Sequence, residues 1–404
     1  MTSQKANHSD FGRPFLQIPG PTLVPERIVR AMSQSLIDHR GPKFPPLLHE
    51  VLGGLKAVFQ TTKGHVLLFP GSGTGAWEAC IVNTLSPGDR VLACLNGYFS
   101  TLFCQTAIAH GMQVDRLEFP YGEGIQADHV EARLRADKNL QIKAVLVVHN
   151  ETSTGVTSDI AAIRQAIDHA GHPALLLVDA VSSLGCMDFR LDDWRIDVAL
   201  AAPQKGLMLP PGMAILAASD KALQASSSSR CHRAFWNWAP VLERNARGEF
   251  PYTPATPLLF GLKESLAMLA EEGLSNVFRR HARLAGACRS ALLAMGLSLL
   301  AKNPDEYSNT VTAVCLPEGF DAGAYVAHAH ANLGLSLGLG LGEVKGKVFR
   351  IGHLGSLNEL ELLGALAGVE MTLQTFEIPV PLGTGLASAE NYFIKAFSNA
   401  GASV

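Results

Sequence analysis

KAVLVVH (143–149), ALLLVDA (174–180) and DVALAA (197–202) are short apolar runs that decide the fold class of this chain. Helix-like segments lie between such runs, among them DIAAIRQAIDHA just before ALLLVDA. Continuous apolar strands that alternate with helices are typical of a mostly parallel sheet covered on both faces. The sequence therefore predicts an α/β fold, and further strands are predicted at HVLLF (65–69), RVLAC (90–94) and AILAA (214–218).

The length of 404 residues is too great for one ordinary core and indicates two domains that share a cleft. We expect an N-terminal arm over 1–18 and a large domain over 19–267. A smaller C-terminal α+β domain is predicted over 268–380, where strand-like TVTAVCLP and VFRIGHLG alternate with helical segments. Residues 381–404 are assigned to a C-terminal tail.

The composition favours an enzyme in a reducing compartment. Hydrophobic residues make up 47% and the net charge is −3, so the charge gives no argument for a nucleic-acid partner. The seven cysteines are scattered and never spaced as CxxC, which favours neither disulfides nor a metal site. The N-terminus lacks an apolar signal region, and no run is long enough to span a membrane. The expected location is cytoplasmic.

FPGSGTGAWEA (69–79) changes from an apolar strand to a Gly-rich turn and then to a helix. The backbone N–H groups of Gly73 and Thr74, the hydroxyls of Ser72 and Thr74, and the helix N-terminus could together bind a phosphate. The motif matches neither GxxxxGK[ST] nor a full GxGxxG, so nucleotide binding is weakly supported. A tight turn without a ligand is the alternative.

Two ionisable residues follow apolar strands. Asp179 ends LLLVD, at the carboxyl end of a strand where α/β sheets bind ligands, and its burial requires a cationic partner such as a pyridinium nitrogen. Lys205 follows DVALAAPQ, and desolvation there would favour the neutral amine that a Schiff base needs. A helix cap or salt bridge for Asp179, and a surface lysine at a strand end, are the alternatives.

Arg350 lies in the strand-like KVFRIGHLG, between Phe349 and Ile351. A partly buried guanidinium needs an anion, and its planar shape matches a carboxylate in bidentate geometry. Arg350 is therefore a candidate for binding the carboxylate of an amino or keto acid, with a structural Arg–Asp pair as the alternative.

Taken together, these motifs resemble the class V, fold-type I aminotransferases that use pyridoxal phosphate, especially the serine–, alanine– and aspartate–glyoxylate branch. The resemblance extends from IPGPT (18–22) to beyond RIGHLG (350–355). It implies a fold-type I architecture, with a seven-stranded sheet in the large domain. It also implies that Lys205 holds the cofactor as an internal aldimine, that Asp179 pairs with the ring nitrogen and that Arg350 binds the substrate carboxylate.

The same resemblance assigns the other cofactor contacts. It implies phosphate contacts from the Gly-rich turn and Gln204, ring packing by Phe99 and Val181, and Thr152 near the ring hydroxyl. The FPYTP loop, with Thr253 and Tyr252, matches a loop that reaches the phosphate of the neighbouring subunit, which implies a homodimer. Departures from the family pattern are Phe99 in place of a frequent Trp, Pro203 in place of a Ser, and Phe250 in place of a Tyr.

The function implied is ping-pong transamination from serine, alanine or aspartate to glyoxylate, giving glycine and a 2-keto acid. A lyase on the same fold, a transaminase that uses pyruvate, and a non-catalytic module that binds pyridoxal phosphate are the alternatives. A desulfurase would need a mobile reactive cysteine, and Cys315 lies inside a strand-like run. His39 and Arg40, in IDHRGPKF, are candidates for the mouth of the site, or for a salt bridge at a helix end.

Overall fold

The computed structural model describes residues 14–401. Its largest part is a seven-stranded sheet. The strands of this sheet are β2 (His65–Pro70), β3 (Arg90–Leu95), β4 (Gln113–Glu118), β5 (Ile142–Val148), β8 (Leu175–Asp179), β9 (Val198–Ala201) and β10 (Met213–Ala218). Their order is β2-β10-β9-β8-β5-β3-β4, and every neighbouring pair from β9 to β4 is parallel. Only β10 runs against its two neighbours.

Helices cover both faces of this sheet, as the apolar runs require. One face packs on α1 (Glu26–Met32), α2 (Phe44–Val58), α5 (Ala127–Ala136), α6 (Ile160–His169) and α9 (Thr256–Glu272). The other face packs on α3 (Gly73–Thr84), α4 (Tyr98–Ala109), α7 (Asp220–Ser228) and α8 (Trp238–Asn245). The predicted α/β class with a mostly parallel sheet is confirmed.

A second sheet has five strands, which are β1 (Phe15–Gln17), β11 (Ser298–Leu299), β12 (Val311–Cys315), β13 (Leu335–Leu339) and β14 (Val348–Gly352). Their order across the sheet is β1-β13-β14-β12-β11. The helices α10 (Leu274–Ala294), α11 (Ala322–Leu333), α12 (Glu359–Thr375) and α13 (Thr384–Gly401) pack with it in a separate core. A short hairpin, β6 (Asn150–Glu151) and β7 (Val156–Thr157), follows β5.

Two elements near the ends of the described residues, β1 and α13, take part in the smaller domain. β1 lies within the segment expected as an arm and pairs in parallel with β13, while residues 1–13 of that arm lie outside the described residues. The segment assigned to a tail contains α13, which packs against α10. The long helix α10 contributes Val277 to one core and Leu284 to the other, so the domain boundary at residue 268 stays a prediction.

Several strands were not predicted from the sequence, and the longest of them are β4 and β13. β4 (QVDRLE) is an edge strand with three charged residues and only two apolar ones, which do not alternate. β13 (LSLGL) overlaps the start of the Gly-rich LGLGLGEVKGK, where glycines lower the strand propensity. Within the described part of the chain, no helix combines the length and the apolar character needed to cross a bilayer.

Candidate active site

A cavity of about 290 Å³ opens at the carboxyl ends of the parallel strands. Parallel strands with crossover helices bring the loops after β2, β5, β8 and β9 to this one edge. Most of the predicted site residues line the cavity, namely Ser72, Gly73, Thr74, Phe99, Thr152, Asp179, Val181, Gln204 and Lys205. Tyr252, Thr253 and Arg350 are not part of this lining.

The Gly-rich turn after β2 begins α3 at Gly73 and lines the cavity. Ser72 is the N-cap, and its hydroxyl oxygen accepts a hydrogen bond from Gly75 N at 3.2 Å. A Cβ atom at Gly73 would lie 3.1 Å from Val181 Cγ2, so the absence of a side chain keeps the turn close to the opposite wall. Gln204 Oε1 lies nearby in the lining, buried and without a hydrogen-bond partner in the described residues.

Asp179 is buried, with 4% of its surface exposed, at the end of β8. Its Oδ1 accepts a hydrogen bond from Val181 N, and its Oδ2 accepts one from Trp77 Nε1, both at 2.7 Å. Burial raises the pKa of Asp179 to about 6, and the two hydrogen bonds act in the opposite direction. In residues 14–401 Asp179 has no ion-pair partner, so the salt-bridge alternative is not supported there.

Lys205 follows β9 and points into the same cavity. Its ammonium nitrogen donates to the carbonyl oxygen of Pro19, and its own carbonyl accepts a bond from Thr22 Oγ1 at 3.4 Å. Burial, and then repulsion from Arg350, lowers the pKa of Lys205 to about 8, while Asp179 acts in the opposite direction. This lysine is therefore not a solvated surface charge.

Arg350, on β14, is 7% exposed and lies just behind the cavity. Its Nε donates to Leu339 O at 2.9 Å and its Nη1 to Thr152 O at 3.0 Å. Among the described residues no carboxylate lies within ion-pair distance, so the structural Arg–Asp alternative is not observed. Burial lowers the pKa of Arg350 to about 10, and the charge of Glu151 opposes this shift. The guanidinium retains unused N–H groups.

The β6–β7 hairpin supplies another wall of the cavity through hydroxyl and amide groups. Thr152 Oγ1 donates to Ser182 Oγ at 3.0 Å, and Ser182 Oγ donates to Asn150 O at 2.8 Å. Asn150 Nδ2 also reaches Ser182 Oγ and, at 2.9 Å, Thr310 Oγ1 of the smaller domain. These bonds hold Thr152 in place beside Asp179.

The remaining predicted residues lie apart from the cavity. Thr253 is exposed, and Tyr252 stacks on Phe235 with ring centroids 4.9 Å apart. The hydroxyl of Tyr252 is buried without a hydrogen-bond partner in the part of the chain that is described. His39 and Arg40 are likewise absent from the lining.

Trp77 is a site residue that the sequence analysis did not nominate. It lies in α3, stacks on Phe103 at 5.7 Å between ring centroids, and donates its indole N–H to Asp179. A signal was present, because Trp77 follows the Gly-rich turn by one helical turn and therefore faces the sheet beside Asp179. Ser182, Asn150 and Gly20 also line the cavity and were not nominated.

Comparisons with known proteins agree with this geometry. The family described as Aminotransferase class-V matches residues 15–336. Serine–glyoxylate aminotransferase of Methylorubrum extorquens is 50% identical over 94% of this chain and 96% of its own length. L-Aspartate–glyoxylate aminotransferase of Paracoccus denitrificans is 49% identical over 93% and 95%.

Among solved structures, pyridoxamine–pyruvate aminotransferase of Mesorhizobium loti superposes with a TM-score of 0.89 at 27% identity, covering 95% of this chain and 98% of that one. The match to the family and the two close relatives each extend over most of the sequence. The cavity at the strand ends, which Asp179 and Lys205 both line, lies within the matched region. This chain is a member of the class V aminotransferase family.

Proposed function

We propose that this protein transfers the amino group of a small L-amino acid to glyoxylate, giving glycine and a 2-keto acid, with pyridoxal phosphate as cofactor. Serine, alanine and aspartate are the candidate donors, and the relatives named for serine and aspartate favour those two. The observation that carries the proposal is the shared cavity of Lys205 and Asp179, with Arg350 directly behind it.

The cavity fits the cofactor. The helix N-terminus at Gly73 and the hydroxyls of Ser72 and Thr74 line the cavity and would donate hydrogen bonds to phosphate oxygens. Gln204 Oε1 is an acceptor without a partner in the described residues, so it would reach the phosphate through a bound water. Phe99 and Val181 supply apolar surfaces for the two faces of a ring. Asp179 lies at the bottom, where its carboxylate would pair with a protonated ring nitrogen.

Pyridoxal phosphate, when bound, accepts the negative charge that develops at the α-carbon of the substrate. Asp179 would favour that role by holding a proton on the ring nitrogen, since pairing with a cation also lowers the pKa of a buried carboxyl. Lys205 would carry the cofactor and, once released by the amino donor, move a proton to and from the α-carbon with its Nζ. Arg350 would orient the substrate through its carboxylate.

We also propose a cytoplasmic homodimer. All seven cysteines are free thiols in the structure, which agrees with a reducing compartment. Thr253 is exposed, which supports a loop that acts on the cofactor phosphate of a second subunit.

The test is to supply the purified protein with glyoxylate and one donor at a time, measuring glycine and the visible band of the cofactor. We expect one donor to bleach the band by itself and to give rapid glycine formation when glyoxylate is added. A persistent band with no glycine from any donor would contradict the proposal. If pyruvate restored the band and glyoxylate did not, a pyruvate transaminase would replace it.

A further inference from the structure

Glu151 is a fully buried carboxylate beside the cavity, with 0% of its surface exposed, and the function proposed above gives it no role. Its Oε2 accepts a hydrogen bond from Ser100 N at 2.9 Å. Its Oε1 accepts bonds from Phe99 N at 3.3 Å, from Ser153 N at 3.0 Å and from Ser153 Oγ at 2.6 Å. Every one of these donors is neutral, and no cation in residues 14–401 forms an ion pair with Glu151.

The first two donors belong to the first turn of α4, whose N–H groups have no partners within the helix. A carboxylate at this position satisfies them and interacts favourably with the helix dipole. The contact is close, because a Cβ atom at Gly97 would lie 2.5 Å from Glu151 Cδ and 2.6 Å from Ser153 Oγ. Glu151 therefore fixes where α4 begins, and Phe99 is the second residue of that helix.

On its other side Glu151 precedes Thr152, whose carbonyl oxygen accepts the bond from Arg350 Nη1. Ser153 donates two hydrogen bonds to Glu151. Its Oγ also accepts a hydrogen bond from Tyr98 N at 2.9 Å. One carboxylate thus connects the wall that carries Phe99 with the backbone that holds Arg350. Since that carbonyl and Leu339 O are the two acceptors of Arg350, moving the hairpin moves the guanidinium.

We propose that Glu151 is a positioning residue that sets Phe99 against the cofactor and Arg350 against the substrate carboxylate. The inference rests on the proposed function, because it assigns Glu151 to the same site. It predicts that loss of this carboxylate weakens cofactor binding and amino-donor binding together, while the proton transfer at Lys205 is less affected.

The chain contains a matched control for Glu151 in the smaller domain. Glu370 is also buried, at 1% exposure, and accepts backbone bonds from Gly383, Gly385 and Leu386 around the start of α13. It lies in the C-terminal core, away from the cavity residues. Glu370→Gln therefore removes the same kind of contact at a helix N-terminus without touching the proposed site.

The experiment compares Glu151→Gln and Glu370→Gln with the wild-type protein. In Glu151→Gln an NH2 group replaces one of the two carboxylate oxygens. Because each of these oxygens accepts a bond from a backbone N–H of α4, Phe99 N or Ser100 N then loses its acceptor. We expect both the KM for the amino donor and the Kd for pyridoxal phosphate of apoprotein to rise roughly tenfold, with a smaller change in kcat. Amide hydrogen exchange at Phe99 and Ser100 should become faster. Glu370→Gln should lower the melting temperature while leaving KM, Kd and these two amides unchanged.

A Glu151→Gln variant that loses stability but keeps the wild-type KM, Kd and exchange rates would overturn the proposal, because Glu151 would then be structural only. If that variant fails to fold, Ser153→Ala removes one donor to Oε1 and should shift the same quantities in the same direction by a smaller factor. Unchanged values in a folded Ser153→Ala variant would equally contradict it. A wild-type protein without glyoxylate activity would refute the proposed function alone, since cofactor affinity and amide exchange still test Glu151.

Discussion

At the scale of single residues, the charge state of Lys205 follows from its surroundings. Burial and the nearby Arg350 lower its pKa from 10.5 to about 8. Because the neutral amine is the reactive form, the rate at which apoprotein captures pyridoxal phosphate should rise with pH around a midpoint near 8. Arg350→Gln removes the repulsion from the guanidinium, which lowers the pKa of Lys205 less than burial does. The pH midpoint of cofactor capture by this variant should therefore lie somewhat above that of the wild-type protein. A wild-type midpoint near 10.5, measured from the growth of the visible band, would show that Lys205 is solvated.

Trp77 gives a second prediction at this scale. Its indole N–H stabilises the ionised form of Asp179, so Trp77→Phe should raise the pKa of that carboxyl further. We expect kcat/KM at neutral pH to fall roughly threefold to tenfold and the acid limb of its pH profile to move to higher pH. Phe103→Leu disturbs the same aromatic stack without removing the hydrogen bond. If both variants gave one common pH profile, the hydrogen bond would have no part in setting the pKa.

At the scale of elements, residues 17–22, from the end of β1 onward, contact both domains beside the cavity. Gln17 Nε2 donates to Gly352 O at 3.1 Å, and Thr22 N donates to Gln204 O at 3.1 Å. Between them Gly20, at φ +101°, passes so close to Lys205 that an added Cβ would lie 2.6 Å from its Nζ.

Gly20→Ala should therefore displace the lysine and slow cofactor capture by at least about tenfold, besides a backbone cost of about 1 kcal/mol. Gly171→Ala is the control, because Gly171 also has positive φ but open space around its Cβ. Equal effects of the two substitutions on cofactor capture would show that strain alone matters.

At the scale of the whole molecule, the loop with Tyr252 and Thr253 is predicted to complete the site of a second subunit. We expect little activity from Lys205→Ala, and reduced activity with weaker cofactor binding from the double variant Tyr252→Phe/Thr253→Ala. When the two are unfolded, mixed and refolded, one site in each hybrid dimer would combine an intact Lys205 with an intact loop. Activity above that of the same two variants mixed without refolding is expected, and its absence in a mixture shown by mass to contain hybrids would argue against a shared site.

The sequence predicted the part of this molecule that depends on local patterns. Apolar runs such as ALLLVDA form strands in the structure, as predicted. Because these strands are parallel, Asp179 and Lys205 both lie at the edge of the sheet formed by the carboxyl ends of the strands, as expected. Glu151 could not be found from local patterns, because its role depends on contacts with Phe99 and Ser100, about fifty residues earlier in the chain. Trp77 had a local signal in its spacing from the Gly-rich turn, but its hydrogen bond to Asp179 is visible only in the structure. The charged edge strand β4 and the Gly-rich β13 were missed because neither has a continuous apolar run.

The central claim is that Lys205 and its neighbours transfer an amino group to glyoxylate, and labelled substrates test it most directly. The protein would receive an amino donor labelled at nitrogen and glyoxylate labelled at both carbons, and the glycine formed would be analysed by mass spectrometry. We predict glycine that carries both labels with the wild-type protein, and none above background with Lys205→Ala. Glycine that lacks the carbon label would show cleavage of the donor by a lyase, and doubly labelled glycine from Lys205→Ala at the wild-type rate would contradict the role of this lysine.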